Sequence, residues 1–165
     1  MPPTARTYID ALKMQAHPEG GFFRETYRSD VLVDVTGDGA VRQRNAATGI
    51  YFLLEDGNFS AFHKIMSDEM WHFYAGQALE IFELHITGAL RCTRLGPDIL
   101  RGDVHQHVVP ANTWFASRVV AGSAFSLAGC TVAPGFDFAD FLLADRVALL
   151  ATFPQHESII TELTR

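Results

Sequence analysis

A chain of 165 residues that is 48% apolar and 19% charged has the size and composition of one domain with a full hydrophobic core. Its formal charge of −6, with no run of lysine or arginine, excludes a nucleic-acid polymer as partner, because such a partner needs a clustered basic face. No apolar stretch approaches the roughly 20 residues of a membrane span, the first twenty residues hold no apolar signal core, and Cys92 and Cys130 lie outside any CxxC pattern, so a cytoplasmic protein with no membrane partner is expected.

In chain order, residues 4–16 read as a helix with Tyr8, Ile9, Leu12 and Ala16 on one face, stopped by the HPEGG string at 17–21. After it come short runs rich in aromatic and β-branched residues: FFRETYRS, VLVDV, TGIYFLL, SAFHKIM, EMWHFYA, LEIFELHI, ALRCTRL, HQHVVP, NTWFASRVV and SAFSLAGCTV. Turn chemistry separates them at Gly37-Asp38-Gly39, Glu55-Asp56-Gly57-Asn58, Gly76, Gly88, Gly96-Pro97, Pro110 and Gly122. About ten short strands at this spacing predict an all-β sandwich or barrel. From Ala139 onward helical spacing returns, divided by Pro154, and no repeat or linker splits the chain, so a single domain over 1–165 is expected.

Chemistry concentrates in GNFSAFHKIMSDEMWHFYAG, residues 57–76. On strands, Ala61, His63 and Ile65 share a face, as do Glu69, Trp71 and Phe73, with Met70, His72 and Tyr74 opposite. A turn at 66–68 would make the stretch a hairpin with His63 and Glu69 side by side. The strand FFRETYRS is unusually polar: it reads either as an edge or dimer strand with exposed charges, or as one that sends Arg24 or Glu25 into a pocket. The string PGFDFADF reads as a structural rim, with Asp137 as a cap or rim contact.

The spacing of Gly57, His63, Glu69 and Gly76 resembles the first cupin motif, with Ile65 where metal-binding cupins place a second histidine. In the second motif Pro110 fits, Asn112 replaces a glycine and Phe115 takes the histidine position. More widely, HPEGGFFRETYRS, IYFLL, SDEMWHFYAG, QHVVPANTWF and GCTVAPGFDFADFLLA resemble the cupin family DUF985, or Cupin_5. That resemblance implies a double-stranded β-helix, the RmlC-like jelly-roll barrel, with short N-terminal and C-terminal helices and a homodimeric assembly.

It further implies a small polar organic ligand in the barrel, such as a sugar, nucleotide or sugar-nucleotide. His63 is then the expected base of an epimerase or isomerase and Glu69 its orienter, because a carboxylate beside an imidazole fixes its tautomer and raises its basicity. A tyrosine would serve as its partner, from among Tyr27, Tyr51 and Tyr74. Glu25, Tyr27, Tyr51, Trp71, His72, Gln106, Trp114 and Phe115 are the expected ligand contacts. No cofactor is expected. A divalent metal, if one binds, would use His63 and Glu69, and two protein ligands rarely hold a catalytic ion. A metal-dependent oxygenase and a binding module without turnover are the alternatives. No GxxxxGK[ST], GxGxxG or GxSxG occurs, which sets aside P-loop and α/β-hydrolase chemistry.

Overall fold

The aromatic and β-branched runs form strands, the central ones buried on both faces, and a computed structural model describes all 165 residues of the result. In chain order the elements are α1 (Ala5–Ala11), β1 (Gln15–Ala16), β2 (Phe22–Arg28), β3 (Leu32–Gly37), β4 (Ala40–Asn45), β5 (Thr48–Glu55) and β6 (Phe59–Lys64). They continue with β7 (Asp68–Gly76), β8 (Leu79–Leu84), β9 (Leu90–Leu95), β10 (Gln106–Val109), β11 (Trp114–Val119) and β12 (Phe125–Ala133). The chain ends with β13 (Leu142–Leu143), α2 (Arg146–Thr152) and α3 (Glu157–Glu162). Six strands form one sheet in the order β1-β2-β5-β12-β7-β10, five form a second in the order β13-β6-β11-β8-β9, and β3 pairs only with β4. The architecture is the jelly roll expected from the sequence, made of two facing sheets; between β9 and β10 the link is a single bridge from Leu95 to Val104. No helix is long and apolar enough to cross a membrane.

Strand parity sorts the core into three layers. Between the sheets lie Phe52, Leu54, Trp71, Ile81, Phe115, Ala128 and Cys130. The outer face of the six-stranded sheet offers Leu53, Phe125 and Leu127, which α1 covers with Ala5 and Ile9. On the other side, Phe62, Phe82, Leu84 and Ala116 are covered by Leu149, Phe153, Ile160 and Leu163 from the C-terminal segment. Alternate residues of one strand thus enter different cores, which is why β5, β6 and β12 read as nearly continuous apolar runs.

Two sequence expectations need correction, and one strand is added to those expected. The first helix stops at Ala11 instead of continuing to residue 16. Lys13 N–H donates to Asp10 and Met14 N–H to Ile9, the two bonds of a Schellman ending, and Met14 packs with Ile9. Next, residues 40–45 form a strand that their charges concealed; this strand, β4, gains its order from pairing with β3. Finally, residues 57–76 are not a hairpin. Strand β6 pairs with β11 and β13, whereas β7 pairs with β12 and β10, so the chain crosses from one sheet to the other at 65–67. His63 and Glu69 therefore belong to opposite sheets, both on interior-facing positions.

The Schellman ending puts Lys13 at φ +52°, in the left-handed region that glycine enters most readily. Lys13→Gly should accordingly stabilise the fold by about 1 kcal/mol in urea denaturation; an unchanged or lower stability would show that the lysine stem contributes packing of its own.

Candidate functional site

Between the sheets, open at the end where β1, β2 and the segment 136–141 meet, lies a cavity of about 640 Å³. Six rings line it: Phe23, Phe52, Phe136, Phe138, Phe141 and Trp71. Its interior polar groups are His17, Glu19, His63, Glu69 and Cys130.

Glu19 is the centre of this group. Its loop, HPEGG, passes over the start of β6: the Glu19 carbonyl accepts from Ala61 N–H at 3.0 Å, and Arg165 donates both to that carbonyl and to the Phe59 carbonyl. Gly20 has φ +113°, and a Cβ there would fall 2.0 Å from the Phe59 carbonyl oxygen, so only glycine lets the loop come this close. The loop drives the Glu19 side chain inward, where it is 6% exposed. Its Oε2 lies 3.0 Å from His63 Nε2, at hydrogen-bond length though bent from the N–H axis.

On the other side of the His63 ring, Nδ1 lies 2.7 Å from the Ala61 carbonyl oxygen, which can only accept, so Nδ1 donates. Both ring nitrogens then face acceptors, and the doubly protonated imidazolium is the form that suits both. Burial lowers the His63 pKa, but the charges of Glu19 and Glu69 and the Ala61 carbonyl outweigh it and the net shift is upward. Burial likewise raises Glu19, and the His63 charge more than reverses it, leaving the carboxyl below its ordinary value. Phe141 stacks on the His63 ring at 5.3 Å and Phe115 tilts against it at 4.2 Å, a setting that favours the charged ring.

His17 is different. Its Nδ1 accepts from the Glu19 backbone N–H at 3.2 Å, so this nitrogen carries no proton. The 3.6 Å approach of the same nitrogen to Glu19 Oε1 is consequently not an ion pair. Burial among Phe23, Phe52, Phe138 and Phe141 lowers its pKa and keeps it neutral.

Glu69 enters the cavity from β7 with no cation in contact. Burial pushes its carboxyl up, the neighbouring Glu19 charge adds to this, and the His63 charge and the Cys130 thiol oppose it; the result is a pKa of about 7. The Cys130 thiol is raised well above its ordinary value by burial and by Glu69, so it stays protonated. At neutral pH the interior therefore holds one fixed ion pair, one neutral imidazole and one carboxyl that gains and loses a proton.

Of the residues expected from the sequence, His63, Glu69, Glu25 and Trp71 line this cavity together. Trp71 is almost fully buried, and its Nε1 has no protein acceptor. Phe115 stands behind the lining, against His63 and Trp71. The remaining residues lie elsewhere, and parity gives the reason. Tyr51 faces outward with Leu53 toward α1. His72 also faces outward, bonded to Thr131 and Gln106, its register partner on β10. Trp114 joins the core under the C-terminal helices, with Lys64 over its ring. Tyr27 follows a register shift in β2 and is exposed. Tyr74 stands at a register shift in β7, its ring over Gly129, where a Cβ would collide with it. None of the three tyrosines considered as a partner for His63 reaches the cavity.

His17 and Glu19 are the residues that the sequence reading missed. HPEGG was read as a helix stop, yet an acid set between a proline and two glycines was a visible sign of a tightly held loop. Asp137 lines the cavity and also caps the short turn after it, accepting from Ala139 N–H. That segment is pinned by Arg44, which donates to both Asp140 carboxylate oxygens at 2.7 Å.

The chain matches the family Cupin_5, described as cupin superfamily (DUF985), over residues 6–144. It is 30% identical over 150 residues to an uncharacterised protein of Saccharomyces cerevisiae, covering 84% of this chain and 74% of that one. Among solved structures it resembles a hypothetical protein from Leishmania major, with TM-score 0.92 and 33% identity over 98% of this chain and 99% of that one. A protein from Shewanella oneidensis gives TM-score 0.88 and 40% identity, covering 99% of each. Oxalate decarboxylase from Bacillus subtilis, at TM-score 0.56 and 10% identity, covers 90% of this chain and 36% of its own and shares the fold alone.

Two tests address the electrostatics. Glu19→Gln should lower the His63 pKa, seen as an earlier imidazole titration by NMR; an unmoved titration would mean that Glu19 does not hold the proton. The Glu69 carboxyl, raised from 4.5 to about 7, contributes stability below pH 4.5 that is lost as pH rises through 7. His63, also raised, acts in the same direction, losing its contribution as pH rises through its folded value; Glu19, lowered, loses its own as pH falls. Glu69→Gln should therefore gain about 3 kcal/mol relative to wild type between pH 5 and pH 8 in urea denaturation. Parallel pH profiles for the two proteins would contradict the assignment.

Proposed function

Because the chain belongs to the Cupin_5 (DUF985) family of the cupin superfamily, we propose that its cavity binds a small polar organic molecule and that Glu69 moves a proton at a carbon next to a carbonyl in it. One observation carries this reading: a cavity-facing carboxyl poised near pH 7, where a general base works best, beside a fixed positive charge. A cavity of about 640 Å³ suits a ligand of sugar or nucleotide size.

The base in this reading is Glu69. His63, the residue first expected in that role, has its two nitrogens on the Ala61 carbonyl and on Glu19, so it has no free lone pair to receive a proton. Its charge instead favours the ionised form of Glu69 and the enolate oxygen that develops as the proton leaves. In the step proposed, the C–H bond of a carbon bearing a hydroxyl breaks to Glu69 and its electron pair passes into an enediolate; the proton then returns from Glu69 to the former carbonyl carbon while the hydroxyl proton passes to the former carbonyl oxygen, so the carbonyl moves by one carbon. Inversion at a single carbon needs a second acid on the opposite face, and no tyrosine lines the cavity. A one-base isomerisation is therefore better supported than a two-base epimerisation.

A transition-metal site suits the donor set poorly. Ile65 and Phe115 stand at two of the positions where metal-binding cupins place histidines, and His63 would have to release Glu19 to offer Nε2. No step here depends on a metal ion.

Incubation in D₂O with a panel of aldoses, ketoses and their phosphate and nucleotide esters should place deuterium beside the carbonyl of one of them. Glu69→Gln should slow that exchange by about 10²- to 10⁴-fold, the usual range for loss of a general base. If no compound exchanges at high protein concentration, or if Glu69→Gln exchanges as fast as wild type, the proton-transfer reading fails and a binding module takes its place.

A further inference from the structure

Moving a carbonyl by one carbon transfers two protons, one between carbons and one between oxygens, and Glu69 serves only the first. His63 is engaged at both ring nitrogens, Glu19 is engaged by His63, and burial keeps the Cys130 thiol protonated beside Glu69. Of the interior polar groups this leaves His17, which the transfer at carbon does not use.

Local structure fixes both the place of this ring and its proton. The loop closes on itself, His17 N–H donating to the Gly21 carbonyl at 2.9 Å and Gly20 N–H to the His17 carbonyl at 3.0 Å. The imidazole meets Phe23 edge to face at 4.7 Å and Phe52 at 6.0 Å. Because Nδ1 accepts from the Glu19 N–H, the neutral ring carries its one proton on Nε2. Unlike the indole nitrogen of Trp71, Nε2 is not sealed within the protein; it meets the cavity without a protein partner. Phe141 touches the rings of both His17 and His63, and Phe52 stands edge-on to Trp71, two residues along β7 from Glu69. The charges of Glu19 and His63 act on His17 and on Glu69 alike. Imidazole and carboxyl therefore face the same space, one from the loop and the other from β7.

We propose that His17 is a second catalytic residue, a neutral imidazole whose Nε2–H donates to the carbonyl oxygen of the ligand and carries the proton that moves between the two oxygens. This assignment deepens the isomerase reading and rests on it. As Glu69 takes the carbon-bound proton, Nε2 gives its own to the carbonyl oxygen; Nε2 then takes the proton of the neighbouring hydroxyl, and the imidazole ends as it began. The Glu19 N–H on Nδ1 stabilises the electron density that Nε2 holds between the two transfers. A neutral imidazole and an enediol hydroxyl hold their protons with similar firmness, so neither traps the one that moves. One nitrogen reaches both oxygens only if they lie on the same side of the planar intermediate. The ligand is accordingly an α-hydroxy aldehyde or ketone held with its two oxygens toward the loop and its reacting C–H toward Glu69.

Nitrogen NMR of the full chain, ¹⁵N-labelled in histidine, tests the donor without any reaction. At about pH 7.5 His17 should show a single protonated ring nitrogen, Nε2; a doubly protonated ring, or the proton on Nδ1, would overturn the proposal. Glycolohydroxamate, a planar mimic of the enediol, should move the Nε2–H signal and bind about tenfold more weakly to His17→Phe. A retained His63 signal in that variant shows the Glu19 loop still seated. A signal that glycolohydroxamate leaves unmoved, or equal affinity in the variant, would also overturn it. With a compound that exchanges deuterium, His17→Gln, which keeps a donor but cannot pass a proton on, should lower kcat about 10²-fold and leave KM within about threefold. A raised KM at unchanged kcat would reduce His17 to a binding contact. If nothing exchanges, the isomerase reading fails alone, and the hydroxamate still decides whether His17 donates to a ligand oxygen.

Discussion

The buried contact between His63 and Glu19 organises the rest of the interior. Each group alone would be costly to bury in its charged form, and each makes the charge of the other tolerable. The pair joins two distant parts of the chain, a loop after the first helix and a strand of the five-stranded sheet, and holds them in one geometry. Its second consequence is electrostatic. With the Glu19 charge present and His63 engaged, Glu69 is left without a direct cation, and burial can lift it to about 7. The cost of taking both charges out of water offsets most of their attraction, so the pair fixes a geometry more than it stabilises the fold, whereas removing one partner alone would strand a buried charge at a cost of about 3–5 kcal/mol.

Register is the constraint through which this geometry arises. Alternate side chains of β7 point into the cavity and out to the surface, so Glu69 and Trp71 reach the interior while Met70 and His72 cannot. A single-residue slip would exchange the two sets. Shifts do occur where the sheet permits them: the one beside Tyr74 moves that residue onto Gly129, on the outer face. At the opposite wall, the Arg44–Asp140 bridge ties the β3–β4 hairpin to the segment bearing Phe136, Phe138 and Phe141. A charged strand that looked like surface therefore supports an apolar wall.

These features explain what the sequence made legible. Residues His63, Glu69 and Trp71 could be found because motif spacing and strand parity act over a few neighbouring residues. The all-β architecture was readable for the same reason, since turn residues and β-branched runs are local signals. His17 and Glu19 were not, because their role depends on a loop folding back over β6, a contact between segments more than forty residues apart. Strand β4 was hidden by its arginines, and its order comes from β3 and Asp140 rather than from its own composition. For Tyr51, Gln106 and Trp114 the chemistry of the side chain suggested a pocket, but only the three-layer core decides which face of a strand meets a cavity and which meets a helix. The hairpin expected at 57–76 failed on the same point: local turn chemistry reveals where a chain bends, not which sheet it enters next.

The replacements at Ile65 and Phe115 and the engagement of His63 belong to one arrangement. A metal-binding cupin interior keeps its imidazole nitrogens available and surrounds the ion with further ligands. Here Phe115 tilts against His63, Ile65 supplies an apolar wall, and the HPEGG loop brings a carboxylate to the nitrogen that would otherwise be free. Restoring a histidine at position 115 would not recreate a metal site while Glu19 holds His63, because the first ligand would still be occupied. Removing Glu19 alone would leave a buried imidazole with one partner and no compensating ligands. Conversion between the two arrangements requires changes in distant parts of the chain, at position 19 as well as at 65 and 115, and for that reason the loop at 17–21, rather than the motif at 57–76 alone, distinguishes this interior.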